Sequence, residues 1–250
     1  MTDLLDHPLI ASRYFFPGGR APTARVDVPV EGATLACAVH RVPDAAGTVV
    51  FFHGNGEVVA DWQGTLDKVV NAMGWDLFLA EYRGYGGSTG TPSLGRMLKD
   101  VGAVVEAAGP PESLVVMGRS VGSLFALEAV RRFPAIAGLV LESSIADALE
   151  RIMLRVTPAE LGGTRAQWHD LEERLDHRAK ITGYPGPVLL LHTRHDGLVD
   201  VSHAERLAAW AGERATLRVF ARGDHNSILF ENAPEYLGEL SLFLARVRGA

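Results

Sequence analysis

The sequence predicts an α/β fold built on a mainly parallel sheet, and three observations predict it. Short apolar runs alternate along the chain with longer amphipathic stretches. Each run is too short for a typical helix and is followed by glycine, a polar residue or a turn signal. One run leads directly into Gly118-Arg119-Ser120-Val121-Gly122, a strand–turn–helix signature.

The buried-strand runs are Thr48 to Phe52, Leu77 to Glu81, Leu114 to Met117, Leu139 to Leu141, Val188 to Leu191 and Leu217 to Phe220. Upstream, Ala24 to Val30 and Thr34 to Val42 are joined only by a short Glu31-Gly32 connection, so they should pair as an antiparallel hairpin. Apolar residues at three- and four-residue spacing predict helices over Asp61 to Met73, Leu94 to Ala108, Val121 to Phe133, Ser202 to Ala211 and Pro234 to Val247. Pro234 suits the first turn of the last one.

The 250 residues fit a single domain, 1–250. One connection breaks the rhythm: over forty residues separate Glu142 from Pro187, more than a simple crossover needs. Helical patterns at Ala146 to Val156 and Arg165 to Lys180, parted by Gly162-Gly163, make 144–186 a helical cap insertion. The alternative is a helix pair beside the core. Leu149, Ile152, Met153 and Trp168 are candidates for an acyl-binding wall, or else for the interior of the cap.

Composition narrows the function classes. Hydrophobic residues are 47% and charged residues 22%, ordinary globular usage. The formal charge is 24 − 30 = −6, with no basic run, which argues against a nucleic-acid partner. The start, Met1-Thr2-Asp3-Leu4-Leu5-Asp6, is acidic and leads into no apolar segment; no stretch is long enough to span a bilayer. The expectation is a cytoplasmic protein. The single cysteine, Cys37, lies in a strand-like run and reads as a small buried hydrophobe.

The serine motif has a mechanical logic. A sharp turn lifts the Ser120 hydroxyl clear of the backbone, and Gly118 and Gly122 make room where strand and helix meet. A serine nucleophile needs a base, and the base an orienting carboxylate, in the chain order serine, acid, histidine. His225, in the last strand–helix loop, is the base candidate. Asp196, after the Val188 strand, is the acid candidate. Glu142, ending the preceding strand, is a second carboxylate within reach of that role, and Asp200 reads as a helix N-cap. Asp224, adjacent to His225, is expected to face elsewhere. The Val121 amide and the Asn55 amide of His53-Gly54-Asn55-Gly56 are the expected oxyanion donors, with His53 supporting the loop. Gly84 to Gly90 fits no phosphate-loop pattern and reads as a tight turn. His192-x-x-His195 lacks the residues of a zinc motif.

Together these residues resemble the α/β-hydrolase superfamily over nearly the whole chain. They are most similar to its small-capped serine hydrolases, which include thioesterases and protein depalmitoylases. The likeness is carried by His53-Gly54-Asn55, Tyr82 to Gly90, Gly118 to Ser123, Leu141-Glu142-Ser143, Asp196 to Val199 and Gly223 to Asn226. Thr193-Arg194-His195 and Asp200 depart from it, where glycine and proline are common. The resemblance implies an eight-stranded, mostly parallel sheet with helices on both faces. The cap matches no pattern of that group, so the resemblance does not extend to substrate. The candidate triad itself leads to the expectation of a small-molecule ester or thioester cleaved through an acyl-enzyme, with no cofactor and no metal. An acyltransferase, an amidase and a silent binding module are the alternatives. Oligomeric state is not readable from the sequence.

Overall fold

The computed structural model describes residues 3–249, so the part of the N-terminal reading that rests on Met1 and Thr2 lies outside the described residues. Eight strands form one sheet: β1 (Arg25–Val30), β2 (Ala33–His40), β3 (Thr48–Phe52), β4 (Asp76–Ala80), β5 (Leu114–Arg119), β6 (Gly138–Glu142), β7 (Val188–Thr193) and β8 (Ala215–Phe220). Their order is β1-β2-β4-β3-β5-β6-β7-β8. β2 runs antiparallel to β1 and β4, and every other pairing is parallel.

Alternation along the central strands creates two apolar cores. Val50, Phe52, Val116, Leu139, Leu141 and Leu190 face one side, which is covered by Leu94–Ala108, Gly122–Arg132, His177–Gly183 and Ser202–Ala211. Val49, Phe51, Val115, Met117, Val140, Leu189 and Leu191 face the other, under Leu66–Ala72 and Ala233–Arg248. Strands buried on both faces have no polar alternation to display, which is why they read as continuous apolar runs.

The predicted helix over Asp61 to Met73 is two helices, Val59–Trp62 and Leu66–Ala72, parted where Gly64 takes φ +85°. Pro8–Tyr14 is a helix that no sequence period announces. It is too short for one, and its signals are Pro8 at the first position and His7 capping the Leu9 amide. Asp200 stands one residue before the N-cap, Val201, and accepts from the Ser202 amide.

The long connection divides in two. His177–Gly183 packs on Gly122–Arg132 and Ser202–Ala211, the place of a crossover helix between β6 and β7. The pattern over Arg165 to Lys180 is therefore two helices, because the chain turns at Leu175-Asp176 and Asp176 caps a new one. Ahead of it lie Ala148–Met153, Pro158–Leu161 and Arg165–Arg174. Gly162 and Gly163, both at positive φ, turn the chain between the last two. Ile152 is fully buried, and Leu149, Met153 and Trp168 pack against the core. Of the two readings for these four residues, the interior one holds. No described helix is long and apolar enough to cross a membrane.

Two glycine substitutions test this packing. A Cβ at Gly122 would meet the Phe52 carbonyl oxygen at 2.0 Å, so Gly122→Ala should destabilise the fold by about 3 kcal/mol in guanidinium unfolding. Gly238 is helical, and a Cβ added there would meet nothing within 4 Å, so Gly238→Ala should stabilise by roughly 0.5–1 kcal/mol.

Candidate active site

Ser120 occupies the turn between β5 and the helix Gly122–Arg132, at φ +52°. A non-glycine residue in this region is strained, and the surroundings hold it there. The Ser120 amide donates to the Glu142 carbonyl at 2.9 Å. The Ser120 carbonyl accepts from the Ser123 hydroxyl at 2.6 Å. Gly118 and Gly122 lie against each other, since a Cβ on Gly118 would be 2.6 Å from the Gly122 carbonyl oxygen.

The structure brings His225 and Asp196 to this serine. His225 Nε2 is 2.9 Å from Ser120 Oγ, and His225 Nδ1 is 2.7 Å from Asp196 Oδ2. Because the carboxylate can only accept, Nδ1 carries the proton and Nε2 is left to accept from the serine. Asp196 Oδ1 accepts from the amides of Leu198 at 2.9 Å and Val199 at 2.8 Å. Burial pushes the Asp196 carboxyl up, but the His225 and Val199 hydrogen bonds outweigh it and hold the carboxyl below its ordinary value.

Glu142 is elsewhere engaged. Its Oε1 pairs with Arg119 Nη1 at 3.1 Å, and its Oε2 accepts from the Tyr236 hydroxyl. Asp224 accepts from Asn226 and Ser227 and faces away from the imidazole. His192, near the end of β7 ahead of Asp196, is fully buried with Nε2 donating to the Val199 carbonyl at 2.9 Å. Burial depresses its basicity. Among the described residues no cluster of His, Cys, Asp or Glu side chains forms a metal site.

Asn55 and Val121 line one cavity of about 340 Å³ with Ser120 and His225. The Asn55 side chain points elsewhere: its Oδ1 accepts from the Phe16 amide and the Tyr85 hydroxyl, each at 3.0 Å, and its Nδ2 donates to the Tyr14 carbonyl. Among the described residues, no backbone carbonyl accepts from the Asn55 or Val121 amide. The turn Gly84 to Gly90 holds this loop from below. Tyr82 donates to the His53 carbonyl at 2.7 Å, and Tyr85 reaches Asn55.

His53 supports the loop as an ion-pair member. Nε2 is 2.7 Å from Glu81 Oε1, and Nδ1 is 2.8 Å from the Gly54 carbonyl. Burial alone would lower its pKa, but Glu81 raises it above the ordinary value.

Sequence reasoning missed Arg119, the variable position of the serine motif. It is buried, and its guanidinium joins three parts of the site. Nε donates to Glu57 Oε1 at 2.9 Å; Nη1 donates to Glu142 and to the His225 carbonyl at 3.0 Å; Nη2 donates to Asn226 Oδ1 at 3.2 Å. Glu57 in turn accepts from the Gly54 amide at 2.8 Å. A charged residue in an otherwise apolar strand end was the available signal.

Two stability measurements follow. Arg119→Met leaves Glu142 and Glu57 without their cation and should destabilise by roughly 3–5 kcal/mol, with Glu142→Gln in the same chain restoring part of it. The His53 contribution should be complete below about pH 6.5, the ordinary imidazole value, and be lost as pH rises through the raised pKa. Glu81→Gln should remove that pH dependence in denaturant titrations.

Residues 47–167 match the family model for the alpha/beta hydrolase fold. The chain is 26% identical over 212 residues to the uncharacterized protein YfhR of Escherichia coli K12, covering 81% of this chain and 71% of that protein. It is 25% identical over 223 residues to human alpha/beta hydrolase domain-containing protein 17B, covering 86% and 73%. An esterase of Pyrococcus furiosus superposes with a TM-score of 0.72 at 16% identity, over 94% of this chain and 98% of that one. The esterase RhEst1 of Rhodococcus sp. ECU1013 gives 0.68 at 19% identity, over 90% and 100%. The strand order and the elbow at Ser120 are those of the alpha/beta hydrolase fold, whose family model matches residues 47–167 and whose architecture these solved esterases share.

Proposed function

We propose that this protein is a serine hydrolase that cleaves a carboxylic ester or thioester through an acyl-enzyme. The observation that carries the reading is the hydrogen-bond chain Ser120–His225–Asp196, at 2.9 and 2.7 Å, opening on a cavity.

His225 Nε2 takes the hydroxyl proton as Ser120 Oγ attacks the substrate carbonyl. The Asn55 and Val121 amides receive the oxyanion that forms. The imidazolium gives its proton to the leaving alcohol or thiol, and the acyl group stays on Ser120. Water, activated by His225, then releases the acid and restores the serine. Asp196 stays ionised throughout and holds the imidazole with Nδ1 protonated.

Of the 144–186 insertion, the part ahead of the crossover helix His177–Gly183, residues 148–175, acts as the small cap, with Pro8–Tyr14 as its brace. Ile145, Arg151, Leu154 and Arg155 close one side of the cavity, and Tyr14 and Phe16 another. Arg13 ties the two by pairing with Glu160 at 2.9 Å and donating to the Arg155 carbonyl at 3.2 Å. A silent binding module has no use for a hydrogen-bonded serine held at a strained turn.

The test is labelling by a fluorophosphonate probe, followed by hydrolysis of p-nitrophenyl esters and acyl thioesters. Wild type should be labelled, and Ser120→Ala should not. Asp196→Asn should lower kcat by about 10⁴-fold, whereas Glu142→Gln should stay within about tenfold. Equal losses in both carboxylate variants, or a folded but unlabelled wild type, would contradict the assignment.

A further inference from the structure

The cavity beside Ser120 has an unbalanced charge. Arg151 and Arg155 line it, one helical turn apart in the chain. Among the described residues neither guanidinium has a carboxylate within ion-pair distance. The nearby acids are committed: Glu160 pairs with Arg13 at 2.9 Å, and Glu150 faces Arg206 at 3.7 Å. Glu57 is the carboxylate that lines the cavity, and Arg119, the Gly54 amide and the Trp62 indole occupy it. Asp196 lies behind His225, fully buried and held by it.

Two like charges lining one cavity repel each other unless an anion lies between them. The guanidinium plane is matched to the oxygens of a carboxylate or a phosphate. Tyr14 lines the same cavity. Burial pushes its hydroxyl up to about 12, against the pull of Arg151 and Arg155, so it remains a neutral donor beside them. The rim is apolar: Phe16, Leu154 and Leu198 are 50%, 65% and 55% exposed around the opening. Apolar side chains this exposed, gathered at one opening, fit the carbon part of a ligand whose charged end reaches the arginines.

We propose that Arg151 and Arg155 make the Ser120 site selective for esters that carry an oxyanion group, joined to the scissile carbonyl by a short apolar spacer. The proposal rests on the serine-hydrolase reading and names its substrate class. The arginines act as specificity determinants and take no part in the proton transfers at His225.

Matched aryl esters test it, the acyl-side pair as p-nitrophenyl esters. The neutral reference is the valerate, and the acyl-side anion is the hemiglutarate. For an anion on the leaving group, the butyrate of 4-hydroxybenzoate is compared with phenyl butyrate. Inorganic phosphate and acetate as competitors distinguish a phosphate-binding from a carboxylate-binding site. In wild type, kcat/KM should favour one charged ester over its neutral partner by about tenfold or more. In Arg151→Gln/Arg155→Gln that ratio should fall by about tenfold, mainly through KM of the charged ester. Arg151→Lys/Arg155→Lys should keep part of the preference, since the charge remains. A wild-type ratio at or below one in both pairs, or a ratio unchanged in the Gln variant, overturns the proposal. If fluorophosphonate still labels Ser120 in that case, only the substrate class has failed. If no label and no turnover are seen, the hydrolase reading has failed and takes this one with it.

Discussion

The close crossing between β5, β3 and the helix that leaves Ser120 is the constraint on which the rest of the structure depends. A Cβ at Gly122 would lie 2.0 Å from the Phe52 carbonyl oxygen, and one at Gly118 would lie 2.6 Å from the Gly122 carbonyl oxygen. Only glycines allow the helix to start so near the sheet. That nearness forces Ser120 to φ +52° and sets its hydroxyl between the loops that follow β3, β7 and β8. The strain is local, and the buried apolar faces of the sheet hold it in place.

Around the elbow, buried charges fix the loops. Arg119 touches the loop after β8 through the His225 carbonyl and the loop after β3 through Glu57, and is itself anchored by Glu142. His53 and Glu81 form a second pair beneath the same loop, with Tyr82 and Tyr85 closing the gap. Polar groups buried this way are demanding, because losing one leaves its partner uncompensated. In return they give each loop one arrangement. The imidazole and the two backbone amides are thereby set on rigid supports.

Much of this was legible in the sequence, for identifiable reasons. Strands such as Thr48–Phe52 were readable because double burial leaves an unbroken apolar run, and Leu94–Ala108 because it is long enough to show its period. The approach of His225 and Asp196 to Ser120 was legible because each of the three stands at or just beyond the end of a strand of the parallel part of the sheet. The engagement of Glu142 was not legible, since its bonds to Arg119 and Tyr236 come from elements distant in the chain. Pro8–Tyr14 is too short for periodicity, and the break at Gly64 looks like helix because its flanks are amphipathic. The path from Arg165 to Lys180 depends on tertiary packing against Gly122–Arg132, which no local pattern announces.

The proposed chemistry is positional: it needs Ser120 Oγ, His225 Nε2 and the amides of Asn55 and Val121 to surround one point where a carbonyl reacts. A crystal structure of the protein after reaction with an alkyl fluorophosphonate measures that directly. The expected result is phosphorus bonded to Ser120 Oγ, with its phosphoryl oxygen within about 2.7–3.1 Å of both amide nitrogens. Phosphorus on any other side chain, or a phosphoryl oxygen turned away from both amides, would contradict it.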